Sequence, residues 1–119
     1  MSASEPFRLP DAPAETDMVA KYFRGLGDPN RLRILELLRA EGELTVGQLV
    51  ARLGIAQPKV SNHLACLRWC GFVEARREHR TVFNKISDKR VIRMLDLAHA
   101  LLAGNAEHVA ACCRIEERE

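Results

Sequence analysis

Four cysteines and a run of basic side chains hold most of the chemistry this chain could perform. Cys66 and Cys70 stand four residues apart in SNHLACLRWCGFVEARREHR, residues 61–80, which also carries His63, His79, Arg76, Arg77 and Arg80. Cys112 and Cys113 follow in a polar segment with little core to join. Thiolate sulfur is a soft donor, so thiols at i and i+4 can chelate one soft cation, and a third from a distant segment would complete the site. The competing use of such cysteines is as small buried hydrophobes. On one helix their Cβ atoms would be about 5–6 Å apart, whereas a disulfide needs about 3.5–4.5 Å. Cys66 and Cys70 are therefore expected as free thiols or as co-ligands of something larger than a bond.

The basic residues are not spread evenly. Residues 52–93 hold ten Lys/Arg against three Asp/Glu, a net +7, while residues 1–51 carry −2 and residues 94–119 carry −3. A concentrated basic segment is an electrostatic footprint for phosphate, although a solvated charged face has the same composition. With 119 residues the chain is expected to form one compact domain with a modest core. The start MSASEPFRLPDAPAETD lacks the layout of a secretory signal, and no apolar run approaches the roughly 18 residues of a spanning helix. A cytoplasmic protein without a membrane partner is expected.

Residues 1–16 contain three of the five prolines and read as a flexible tail, followed by a domain over 17–104 and a C-terminal tail over 105–119 that carries cysteines. Val19, Tyr22, Phe23 and Leu26 recur at helical spacing, with Gly25 and Gly27 placed to end a short first helix. GDPNRLRILELLRAEGE predicts a second, with Asp28 as cap, Pro29 in the first position and Gly42 as stop. LTVGQLVARLG predicts a third, capped by Thr45 and closed by a left-handed Gly54. QPKVSNHLACLRWCG predicts a fourth, with Pro58 in its first turn and Gly71 after its end. Two helices around a tight turn make a helix-turn-helix, though an αα-hairpin in a bundle would share that spacing. FVEARREHRTVFNKIS tips the balance toward the former. It predicts strands over 72–76 and 81–86 turning near Glu78 and His79, an arginine-rich wing. The expected fold is mainly α with a small β-hairpin, a winged helix-turn-helix. A last helix capped by Ser87 or Asp88, with Val91, Met94, Leu95, Ala98, Leu101 and Leu102 as its apolar stripe, is expected to support dimerisation.

Advancing ~100° per residue from Val60, Leu64 and Leu67 fall within about 40° of it and form the inward stripe of the fourth helix. Lys59, Asn62, His63, Cys66 and Cys70 share one flank, so the thiols lie beside the residues placed to read DNA. Gln57, Lys59, Ser61, Asn62 and His63 would enter a major groove; for Gln57, Ser61 and Asn62 capping and surface polarity compete with that role, and His63 fits equally as a satisfied structural histidine. Arg76, Arg77 and Arg80 suit the phosphate backbone or the minor groove, or are solvated charge.

From about Asp17 to Cys113 the chain resembles the ArsR/SmtB family of bacterial winged-helix repressors, through LGDPNRLRILELL, LTVGQLVARLGIAQPKVSNHLACLR and the wing that follows. VSNHLACLRWCG resembles more specifically the recognition-helix site of the family's CmtR branch, which senses cadmium and lead. The resemblance implies a homodimer on double-stranded operator DNA, with Cys66 and Cys70 as metal ligands joined by Cys112 or Cys113 from the tail. It implies Cd(II) or Pb(II) as the effector; Zn(II), which favours four ligands, would need a further donor such as His63. LTVGQL lacks the cysteines of the family's arsenic site, Asp96, His99 and His108 only loosely echo its zinc and nickel pattern, and His79 stands where relatives often have glycine. Two rival readings make the thiols a peroxide-sensitive switch on a DNA-binding repressor, with Arg68 lowering a thiol pKa, or make the chain a winged-helix protein-interaction module. No third orienting residue accompanies the cysteines and histidines, so an enzyme is not expected.

Overall fold

Six helices and one hairpin follow each other along residues 14–112, the part of the chain that the computed structural model describes. Cys113 and the rest of both terminal segments lie outside the described residues. Helix α1 spans Glu15–Leu26, beginning within the segment expected to be tail, and Glu15 and Asp17 place negative charge in its first turn where the helix dipole favours it. Gly25 lies inside this helix, and it is Gly27 that caps it, donating its N–H to the Arg24 carbonyl at 3.1 Å.

Local chemistry sets the next three helices. Asp28 caps α2, Pro29–Glu41, by accepting from the Asn30 and Arg31 N–H groups at 2.8 and 3.2 Å. Helix α3, Val46–Leu53, opens on a capping box: Thr45 Oγ1 accepts from the Gln48 N–H at 3.1 Å, and Gln48 Oε1 accepts from the Thr45 N–H at 2.9 Å. Gly54 then takes the left-handed conformation, φ 71°, that lets the chain turn within three residues into α4, Gln57–Trp69. Cys70 caps α4 while keeping helical dihedrals, and beyond it the Phe72 N–H reaches back to the Leu67 carbonyl at 2.9 Å with Gly71 at φ 85°. That closure, in which Leu67 and Phe72 are both buried, turns the chain sharply from α4 into the hairpin.

Strands β1, Val73–Glu78, and β2, Thr81–Ile86, pair antiparallel from Val73 opposite Ile86 to Glu78 opposite Thr81. Strand β1 starts one residue later and runs two residues further toward the tip than the expected 72–76, while β2 matches the expected 81–86, leaving His79 and Arg80 as a two-residue loop in which His79 adopts φ 59°. Histidine pays part of the steric penalty that glycine escapes there. Leu44, between α2 and α3, forms an isolated antiparallel bridge to Asn84 of β2. Helix α5, Lys89–Ala103, is capped by Asp88, which accepts from the Arg90 N–H at 2.7 Å. A short α6, Ala106–Ala111, occupies part of the segment expected to be tail.

The core gathers Ile34, Leu35 and Leu38 of α2, Leu49 of α3, Val60, Leu64 and Leu67 of α4, Phe72, and Val91 and Leu95 of α5. Two apolar faces are left uncovered. Met18 and Phe23 on α1 are 49% and 57% exposed, and Leu97 and Leu101 on α5 are 63% and 75% exposed. Leu101 of the expected α5 stripe is thus outside the protomer's core, whereas Val91 and Leu95 are inside it.

Candidate nucleic-acid interface and thiol site

Helices α3 and α4 with their connecting turn form the helix-turn-helix, and burial of Val60, Leu64 and Leu67 fixes which face α4 offers outward. Gln57, Lys59 and Asn62 are exposed, and Ser61 is half-buried. The residue before α4 is Ala56, and no side chain caps the helix, so neither Gln57 nor Ser61 is used as a cap. His63 is tied down. Its Nδ1 accepts from Arg31 Nε at 3.2 Å, and Arg31 Nη1 also donates to the Gly25 carbonyl at 3.1 Å. With Nδ1 accepting, a neutral ring carries its proton on Nε2. This geometry gives His63 a structural part in joining α4 to α1 and α2.

The three wing arginines are placed differently from one another. Arg76 is clamped by Glu43, through contacts of 2.8 and 3.1 Å, and by Glu78 at 3.0 Å, with its guanidinium 4.7 Å from the centre of the Phe83 ring. Those carboxylates hold the Arg76 pKa above its ordinary value, Glu43 contributing first. Arg77 and Arg80 are exposed and make no ion pair among the described residues. Lys85 pairs with Glu74 across the strands at 3.5 Å. The freely presented charge of the wing therefore sits at positions 77 and 80, close to its tip.

Cys66 and Cys70 are free and half-buried, one turn apart on the same flank of α4. Burial pushes the Cys70 thiol above its ordinary value, the neighbouring Cys66 adds to the shift, and Arg31 and Lys21 oppose it. Arg68 is turned toward the wing, donating to Asn84 Oδ1 at 3.0 Å, and is not among the charges that shift the Cys70 thiol. Tyr22 lies against this corner, its ring centre 4.6 Å from that of Phe72, and burial followed by the proximity of Cys70 raises its hydroxyl pKa. Cys112 is half-buried at the end of α6; Cys113 is not among the described residues.

Among the described residues of one protomer, no three His, Cys, Asp or Glu side chains gather as an ion-binding group. Neither His63 nor the same protomer's Cys112 completes a set with Cys66 and Cys70. Asp96 pairs with Arg39, and His99 Nε2 meets Glu36 Oε2 at 2.5 Å, so these two α5 residues are engaged with α2, while His108 is exposed on α6.

Sequence patterning missed the residue that ties the wing to the reading helix. Asn84 is fully buried; its Oδ1 accepts from Arg68, its Nδ2 donates to the Leu44 carbonyl at 3.2 Å, and its backbone exchanges hydrogen bonds of 2.9 and 3.0 Å with Leu44. The available signal was an amide at a strand position where alternation called for an apolar side chain.

A reading helix presenting polar side chains, followed by a cationic wing, defines a winged helix-turn-helix DNA-binding regulator. Residues 28–75 match the family model for bacterial regulatory proteins of the arsR family. The probable mercury resistance operon repressor of Streptomyces lividans is 42% identical over 99 residues, 83% of this chain and 78% of that protein. The HTH-type transcriptional regulator CmtR of Mycobacterium tuberculosis is 44% identical over 86 residues, 71% of this chain and 72% of that protein. Among solved structures, a homodimeric winged helix-turn-helix DNA-binding domain of Mb0332 from Mycobacterium bovis superposes with a TM-score of 0.71 at 32% identity, covering 85% of this chain and 93% of that one. The chain belongs to the ArsR family of bacterial transcriptional regulators, and its role is DNA binding rather than catalysis. Among the described residues, no helix is long and apolar enough to cross a membrane.

Proposed function

We propose that this protein is a cytoplasmic, homodimeric repressor that leaves its operator when a thiophilic metal ion binds. The observation that carries the proposal is the adjacency of two free thiols, Cys66 and Cys70, on the helix that reads DNA. Gln57, Lys59, Ser61 and Asn62, with His63 at the edge, would face the major groove, and Arg77 and Arg80 would meet phosphate. Arg76, held by two carboxylates, shapes the wing more than it touches DNA. The uncovered apolar faces of α1 and α5 support pairing with a second copy, as in the homodimeric Mb0332 domain.

The donor set fits a soft ion. Two free, half-buried sulfurs one turn apart on α4 favour a large thiophilic cation over a hard one, because thiolate is a soft donor. A third thiolate, from Cys112 or Cys113, has to approach from a partner subunit or through the segment beyond α6, because one protomer's described residues assemble no three-ligand group. Cd(II) and Pb(II) are the proposed effectors. The similarity to a mercury resistance operon repressor adds Hg(II) of the same soft class, and Zn(II) would need a fourth donor that Arg31-bound His63 is poorly placed to give. Joining the C-terminal segment to α4 would disfavour the arrangement of reading helices that spans successive major grooves, about 34–36 Å apart.

In the redox reading, oxidation of Cys66 or Cys70 by peroxide, rather than metal, would release the DNA; both readings require the thiolate. The metal reading is tested by titrating Cd(II) into reduced protein and following sulfur-to-metal charge-transfer absorbance. Cys66→Ser and Cys70→Ser should each abolish the band seen with the unaltered protein; a band that survives both substitutions removes these residues from the site.

A further inference from the structure

The DNA contacts of this fold come from two separate elements, α4 and the hairpin, whose relative placement must match the spacing between a groove and its neighbouring phosphates. Core packing of Phe72 and Val73 with Leu64 and Leu67 sets part of that placement, and polar side-chain contacts add to it. Arg68 and Asn84 are one of them, and the contact is built from both sides: Asn84 is fully buried and held by Leu44 at its backbone and amide, while Arg68 reaches it from the last turn of α4. Around the helix axis Arg68 lies about 80° from Val60, whereas Cys66 and Cys70 lie at about 240° and 280°, on the opposite flank. The guanidinium that serves the wing is therefore clear of the thiol site. The hold on the wing's outer half is independent, through Arg76 and Glu43.

We propose that Arg68 is a positioning residue for DNA binding: through Asn84 it sets the wing against the reading helix and so places Arg77 and Arg80 on phosphate. The inference rests on the DNA-binding reading of the fold but not on the metal reading. Nothing in it requires Arg68 to touch DNA. Loss of the guanidinium leaves the helix and the hairpin folded and lets the hairpin shift relative to α4.

The experiment is a double-mutant cycle read by salt dependence. A duplex selected by the protein from a random-sequence pool is titrated at several salt concentrations with wild type, Arg68→Gln, Arg77→Ala/Arg80→Ala, and the combined variant. Each phosphate contact contributes about 0.9 to the slope of log affinity against log salt. With Arg77 and Arg80 present twice in the homodimer, the wing double substitution should lower the wild-type slope by about 3.6, and in the Arg68→Gln background it should lower the slope by less than half as much, because the wing is already displaced. Arg68→Lys, whose long cationic side chain can still donate to Asn84 Oδ1 where the shorter glutamine amide does not reach, should restore most of the wing's contribution and serves as the readout if Arg68→Gln unfolds. An equal slope loss in both backgrounds would show that Arg68 acts by its own charge alone, and overturns the inference. So does a wing double substitution without effect in wild type. A wild-type protein with no salt-dependent affinity for duplex would instead defeat the DNA-binding reading, and the inference with it.

Discussion

Replacing Asn84 by alanine should cost stability in a way that can be worked from its contacts. The substitution removes the amide donation to the Leu44 carbonyl at 3.2 Å and the acceptance from Arg68 at 3.0 Å. Leu44 keeps its backbone partner, the Asn84 N–H at 2.9 Å, and Arg68 is exposed enough to turn to water, so no buried group is orphaned. A neutral hydrogen bond is worth about 0.5–1.5 kcal/mol and one to a charged group about 1.5–3, the exposed guanidinium placing the second at its low end. With a small cavity added, the expected loss is about 2–3 kcal/mol, a large share of the roughly 5–15 kcal/mol that holds a domain together. Urea unfolding followed by far-ultraviolet circular dichroism, at fixed protomer concentration, measures this directly as a lower midpoint with an unchanged m value. A loss under about 1 kcal/mol would mean that the two hydrogen bonds are no better than those Asn84 makes with water, and would refute Asn84 as the anchor of the wing.

Proton competition gives a second expectation. The Cys70 thiol is raised by burial and by Cys66 and must lose its proton to ligate, so Cd(II) affinity should climb with pH through the neutral and alkaline range, as a competition titration at several pH values would report. In the metal-free protein the sign is the opposite: a folded-state pKa above the unfolded one contributes stability below the ordinary value of 9.0 that is lost as pH rises past it, and Cys70→Ser should flatten that alkaline limb of the urea midpoint. Arg76→Ala should change the salt slope of duplex binding less than Arg77→Ala or Arg80→Ala does, because its charge is already met by Glu43 and Glu78; an equal change in slope would make Arg76 a phosphate contact after all.

Much of the fold was legible because it is written in local chemistry. The Asp28 and Thr45 caps, the left-handed Gly54, and the apolar spacing of Val60, Leu64 and Leu67 each act within a few residues, and each was found where patterning put it. The shared flank of Cys66 and Cys70 followed from the same helical repeat. What patterning could not supply are contacts between distant parts of the chain. Arg31 with His63, Arg76 with Glu43 and Arg68 with Asn84 span 32, 33 and 16 residues, and such pairs leave no periodic trace. Two of them involve residues proposed to meet DNA: His63 accepts from Arg31, and Arg76 pairs with Glu43. Helix α6 escaped notice because an isolated six-residue segment with no buried face lacks the amphipathic signal on which helix prediction depends.

The most direct measurement compares the affinity of the reduced protein for a duplex it has selected, by fluorescence anisotropy, with and without one equivalent of Cd(II) per protomer. A sensing thiol pair on the reading helix predicts an affinity lower by roughly 5–150-fold with metal, the usual range of such couplings, and no change for Cys66→Ser or Cys70→Ser. Stoichiometric binding of the ion to wild type with the DNA affinity left unaltered would contradict it.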